Sequence, residues 1–182
     1  MSVGGRAVEI TVGQIQEGSM AAALGHTDWV SVPLLRLLAD GIDPALRAAV
    51  AGHPNCPPEL AEKLIENPYL YGQEPQAAIY LAAADNRALP LRQRRRALEK
   101  ILREEGLPTA VSARALMHPA CTTEMRLAAH PQVLASNAGY LFNAELDFWQ
   151  QLPARLAPEL VSVIMHGPAC PRYIRALRQL TE

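Results

Sequence analysis

The sequence predicts an all-α fold, a right-handed solenoid of about six short helical pairs behind a short N-terminal arm. Three observations predict it. Ala/Val/Leu-rich runs repeatedly end on a histidine, turn at a proline and open a second amphipathic run, as in "LRAAVAGHPNCPPELAEKL" (46–64) and "SARALMHPACTTEMRLA" (112–128). The elbows recur at an interval: His118 to Asn143 is 25 residues, Asn143 to His166 is 23, and His26 to His53 is 27. Apolar residues recur with the period of a helix, and only "AVEITVGQI" (7–15) alternates like a strand. Helices this short are marginal alone, because nucleation is costly and few turns offset it. Each pair also carries an apolar face that only a stacked neighbour can cover, so the units form one array.

Taken in order, residues 1–18 are the arm, extended or disordered, and residues 19–182 the repeat region. The first unit, "MAAALGHTDWVSVPLLRLL" (20–38), turns at His26, with Trp29 in the elbow as a lid on the open end. The second turns at His53. Pro57 suits a first helical position, which places Cys56 at the N-cap and Glu59 at the third helical position. His53 is expected to close the helix before it by donating to that helix's last free carbonyls. The loop "ENPYLYGQEP" (66–75) then exposes Tyr69 and Tyr71, to dock either on their own solenoid or on a partner.

The third unit, "AAIYLAAADNRALPLRQRRRAL" (77–98), carries Asp85 and Asn86 where a histidine would stand. Its second helix, 90–104, holds the one concentrated charge. At about 100° per residue, Leu91, Leu98, Ile101 and Leu102 form a buried stripe, and Arg92, Arg96 and Arg103 gather on an outer side beside Glu99. Arg94 and Arg95 border the stripe and lay their stems along it. The outer arginines are either a groove for phosphate or an acidic partner, or a solvated face laced with glutamate. The fourth unit repeats the second, with Cys121 as cap and Glu124 at the third position. The fifth, "NAGYLFNAELDFWQQL" (137–152), gathers Tyr140, Phe142, Phe148 and Trp149 as core. The sixth, "ELVSVIMHGPACPRYIRAL" (159–177), turns at His166 ahead of Cys170.

The second unit's "LRAAVAGHPNCPPELAEKL" is similar to the Val-Arg-x-Ala-Val-Ala-x-Asn/His-Pro-x-x-Pro-x-x-Leu-x-x-Leu pattern of the leucine-rich repeat variant family. The fourth and sixth units follow the pattern fairly, the others loosely, over about Met20 to Leu180. The resemblance implies a HEAT-like solenoid of paired short helices, one of each pair often 3₁₀. Some members carry a cysteine-rich iron–sulfur segment at the N-terminus. No cysteine precedes Cys56 here, so that feature does not transfer.

Composition narrows function. Hydrophobic residues make up 49% of the chain and the formal net charge is -1, which argues against a general nucleic-acid binder. Three cysteines without a disulfide pattern suit a reducing cytoplasm. Fifteen arginines to two lysines, with abundant alanine, suggest a GC-rich bacterial genome. No apolar stretch is long enough to span a membrane. Zinc needs about four ligands near 2.0–2.3 Å. The His–Cys pairs stand one to a unit, with a weaker unit between each, so no single ion gathers them. No phosphate-cradling loop or nucleophile elbow is present. The expectation is a non-enzymatic scaffold for a protein partner, without cofactor or metal. Candidate contacts are Arg92, Arg96, Arg103, Tyr69 and Tyr71. Nucleic-acid or phospholigand binding through 90–104 is the alternative, and the oligomeric state stays open.

Overall fold

A computed structural model of the chain describes residues 17–25, 27, 30–66, 73–144, 146–154, 157–167, 170–172 and 174. Every described element is helical. The α-helices are α1 Glu17–Gly25, α2 Val32–Ala39, α3 Pro44–Gly52, α4 Pro58–Glu66, α5 Gln73–Asp85, α6 Leu91–Arg103, α7 Thr109–Met117, α8 Thr123–Leu127, α9 Pro131–Ser136, α10 Leu146–Gln151 and α11 Pro158–His166. Two 3₁₀ segments, Ala138–Asn143 and Leu152–Ala154, flank α10. The arm ahead of α1, His26, Trp29 and the Tyr69–Tyr71 loop lie outside the described residues.

Proline sets where many of these helices begin. α3, α4, α9 and α11 each open on one, at Pro44, Pro58, Pro131 and Pro158. There the missing N–H would have been unsatisfied in any case and φ is already helical. Between α6 and α7 the chain reverses through Gly106 at φ 85°, a left-handed conformation that a side chain would strain.

The helices pack in two lines. α1, α3, α5 and α7 each lie against the next, as do α2, α4, α6 and α8, and α5 also touches α4 and α6. α3 and α5 are both alanine-rich; Ala51, Ala83 and Ala84 are fully buried, and small side chains let such helices approach closely. Larger residues fill the space between the lines, with Leu35, Leu64, Ile65, Leu98, Ile101 and Leu116 all at 1% exposure or less. Burying each contributes about 1.5–3 kcal/mol. From α8 to the second 3₁₀ segment the elements are short, six residues or fewer. Phe148 and Trp149 anchor that region edge to face, with ring centroids 5.2 Å apart. Tyr140, expected in this core, is instead 44% exposed, and the Phe142 side chain lies outside the described residues.

At three elbows, those of His53, Asn86 and His118, the side chain does a different job from the one expected of it. The Asn55 N–H donates to Nδ1 of His53 at 3.0 Å. The ring proton therefore sits on Nε2, which donates to the Thr27 carbonyl in the preceding elbow at 2.9 Å. Asn86 repeats the device. Its Oδ1 accepts from the Ala88 N–H, and its Nδ2 donates to the Ala51 and His53 carbonyls at 3.0 and 2.8 Å. His118 accepts from the Ala120 N–H at Nδ1, and its Nε2 lies 3.3 Å from Asp85 Oδ1. Each of these three side chains thus ties down its own turn and reaches back into the elbow before it. The carbonyls near the helix ends are served from elsewhere. Nε of Arg94 donates to Ala84 O at 2.8 Å and Nε of Arg126 to Leu116 O at 3.2 Å.

The cysteines are not caps. α4 begins at Pro58, because a residue followed by proline is disfavoured in helical conformation and Pro57 is therefore held out. At α8 the N-cap is Thr122, whose hydroxyl accepts from the Met125 N–H at 3.3 Å. Cys56 and Cys121 stand one place earlier, and Glu59 and Glu124 are second, not third, in their helices. Both thiols are buried, and each points to the carbonyl of the next residue, Pro57 at 3.7 Å and Thr122 at 3.9 Å.

A candidate partner-binding groove on the third helical pair

α6 is built from strong helix formers, with Lys100 and Arg103 in its last turn where the helix dipole favours cations. Ala97, Leu98, Ile101 and Leu102 face inward. Leu91 does not join them and is 47% exposed. Arg94 takes the inward place in that first turn, its Nε–H directed at the end of α5.

The outer face of α6 continues a lattice of charge that begins two helices earlier. Arg36 of α2 meets Glu59 of α4 at 3.1 Å, and Lys63 of α4 meets Asp40 at 2.7 Å. From α6, Arg96 lies 3.1 Å from Glu62 and 2.7 Å from Glu66, and Lys100 lies 3.5 Å from Glu66. Gln93 adds a hydrogen bond to Glu62 and one to the Pro58 carbonyl. These pairs are substantially exposed, so each contributes about 0–1 kcal/mol. Their larger effect is electrostatic, since α4 supplies the carboxylates that neutralise the middle of α6.

The expectation that Arg92, Arg96 and Arg103 stand together and that Glu99 answers one of them holds only in part. All three line one groove of about 950 Å³ along α6. Arg96 is drawn across to α4, and Arg103 sits 3.7 Å from Glu99. Arg92 makes no ion pair or hydrogen bond among the described residues. Arg95 also lines the groove, and its buried Nε has no hydrogen-bond partner among the described residues. The same Arg95 borders a second cleft of about 610 Å³ between α6 and α8, beside Cys121, Thr122 and Met125. It is the ridge between the two.

Tyr80 and Glu104 close the groove's inner side. Burial raises the Tyr80 phenol, and the Glu104 and Glu66 charges raise it further. Burial alone raises the Glu104 carboxyl, so this side of the groove holds its negative charge less firmly than an open glutamate would. The thiols are poor nucleophiles. Burial pushes Cys56 to about 12, helped by Glu59, and Cys121 to about 11. Among the described residues no group of three His, Cys, Asp or Glu side chains stands close enough to hold a metal ion. Such a groove can receive hydrogen-bond acceptors and an apolar group. Tyr69 and Tyr71 lie outside the described residues, so nothing places them beside it.

Arg95, Glu62 and Glu66 escaped the sequence reading as parts of this face. A signal for the last two existed: Glu62 and Glu66 are one turn apart on the outer side of α4, as Arg92 and Arg96 are on α6. Comparison with protein-family models, curated proteins and solved structures gives no match to this chain.

Proposed function

We propose that the chain is a non-enzymatic helical-repeat scaffold that holds a protein partner on the outer face of α6. In this reading the two lines of helices form a right-handed solenoid of about six pairs, of the leucine-rich repeat variant kind. The observation that carries it is the layer-to-layer bonding of elbows, in which His53 reaches Thr27, Asn86 reaches the carbonyls of Ala51 and His53, and His118 reaches Asp85. Those side chains are spent on stacking. What stays open is a mixed-charge groove, the kind of surface that suits a protein partner. Nucleic-acid binding gains less support, because Glu62, Glu66 and Glu99 already answer Arg96, Lys100 and Arg103, and a phosphate chain along α6 would meet them. The three cysteines, buried and in no disulfide, suit a reducing bacterial cytoplasm. Among the described residues no helix is long and apolar enough to cross a membrane.

The test is affinity capture with the tagged full chain from its native host, with and without nuclease, at low and high salt. A protein retained after nuclease treatment supports the reading. Recovery of nucleic acid, with no protein surviving nuclease, overturns it.

A further inference from the structure

From the way the charge lattice ends at α6, we infer that its partner is an acidic peptide segment, seated along α6 with carboxylates on Arg92 and Arg95 and an apolar side chain on Leu91. This rests on the scaffold reading above and names the chemistry of what that face takes. Each outer helix up to α6 meets carboxylates from its neighbour: Glu59 answers Arg36, and Glu62 and Glu66 answer Arg96 and Lys100. On the far side of α6 the pattern stops. α8 has five residues, and its exposed Glu124 makes no ion pair with α6 among the described residues. Among the described residues Arg92 and Arg95 are left without acidic partners, three residues apart and one turn from each other along α6.

Two further observations mark this as a place for a ligand. Arg95 borders both this groove and the cleft between α6 and α8, and among the described residues its Nε makes no hydrogen bond. Leu91 stands 47% exposed in the same groove, a large apolar side chain open to solvent in the turn that carries Arg92. Guanidinium groups bind carboxylates through paired N–H donors, and that match is strongest where water is partly excluded. A peptide with acidic side chains one turn apart would extend the lattice by one more layer. Glu99 and Glu104 in the groove wall oppose a continuous polyanion but leave room for discrete carboxylates.

The probe is a short fluorescein-labelled peptide of glutamates with interspersed leucines, measured by anisotropy against the full chain. Its glutamine counterpart, its lysine counterpart and a single-stranded oligonucleotide of similar length serve as controls. Wild type should bind the glutamate peptide. The double variant Arg92→Gln/Arg95→Gln should bind it at least about tenfold more weakly, while Arg92→Lys/Arg95→Lys retains most of the affinity. Arg92→Glu/Arg95→Glu should transfer preference to the lysine peptide. Arg92→Gln alone changes an exposed side chain and should weaken binding with the thermal melt unchanged, which separates loss of contact from loss of fold. Equal binding of the glutamine peptide, indifference to these variants, or tighter binding of the oligonucleotide overturns the inference. A photocrosslinking residue at position 91, compared with one at exposed Leu37, separates this failure from failure of the scaffold reading. Host proteins captured at 91 above the Leu37 background, by a chain that does not bind the glutamate peptide, sink the acidic chemistry alone, and absence of capture at 91 sinks the α6 face of the scaffold reading as well.

Discussion

Two elbows that read alike in sequence behave differently in the fold. "GHPNC" around His53 and "HGPAC" around His166 both place a histidine ahead of a proline and a cysteine. His53 is 2% exposed, accepts from the Asn55 N–H and donates to Thr27 in the previous elbow. His166 is exposed, and its Nδ1 lies 2.8 Å from the Ser162 carbonyl of its own helix. Only His166 does what the sequence predicts for both, closing the helix it ends. The difference lies in what precedes each turn. α3 packs on α1, and the elbow after α1 presents the Thr27 carbonyl where the His53 ring can reach it. Before α11 come a 3₁₀ segment and short helices, and among the described residues His166 makes no hydrogen bond to an earlier elbow. A side chain at an elbow takes its role from the elements packed beneath it.

The sharpest way to break this comparison is at Asn86, the elbow with the most bonds. Asn86→Asp keeps the acceptor for the Ala88 N–H but replaces two donated hydrogen bonds with a buried carboxylate facing two carbonyls. It should cost about 3 kcal/mol or more, read as a shift in urea midpoint. A loss under about 1 kcal/mol would mean that water reaches this elbow and the ladder is weaker than its distances indicate.

Next in size is the direct contrast. His53→Ala strands the Asn55 N–H and the Thr27 carbonyl and should destabilise by about 2 kcal/mol, whereas His166→Ala should stay within about 0.5 kcal/mol. Equal losses in paired denaturation curves would erase the distinction between the two elbows.

The capping assignment comes third. Thr122→Ala removes the hydroxyl that accepts from Met125 and should cost about 1 kcal/mol, and Thr122→Ser should restore most of it. If Cys121→Ala costs more than Thr122→Ala, the thiol contributes more to this turn than the cap does.

The smallest expected effect is on pH. The unfolded imidazole titrates near 6.5, and the folded His118 ring is held below that, chiefly by burial, with Arg94 and Arg114 acting in the same direction and Asp85 opposing them. Between those two pKa values the unfolded state binds more protons. The stability from the neutral ring is therefore complete above about 6.5 and declines as pH falls through the window beneath it. Protonation would also take the Nδ1 lone pair from the Ala120 N–H. His118→Gln should flatten the stability-against-pH curve in that window, and an unchanged slope would assign the acid sensitivity to other groups.

Much of this was legible in the chain. The inward residues of α6 follow from helical spacing at Leu98, Ile101 and Leu102, and the turns follow from His-Pro and Asp-Asn at the ends of alanine-rich runs. Even the true cap of α8 was readable, since a threonine hydroxyl is a better acceptor than the neighbouring thiol, and Pro-Pro at 57–58 already bars a helical Pro57. The recurrence of arginine eight residues after an elbow, Asn86 to Arg94 and His118 to Arg126, was a further signal of the carbonyl contacts. The groove was half visible: its arginines were evident, and the carboxylates that answer Arg96 and Lys100 were not.

The sequence by itself determined the local and periodic features: which runs are helical, where they turn, and which faces are apolar. Those depend on residues three or four apart and on the backbone limits of proline. Only the tertiary structure decided which carbonyl a histidine meets, which glutamate neutralises which arginine, and that Arg92 and Arg95 are left over. Thr27 and His53 are 26 residues apart, Glu62 and Arg96 are 34, and their distances are set by how one helical layer rests on the next. A hydrogen bond or an ion pair falls away within an ångström or two, so no pattern along the chain specifies it until the layers are stacked.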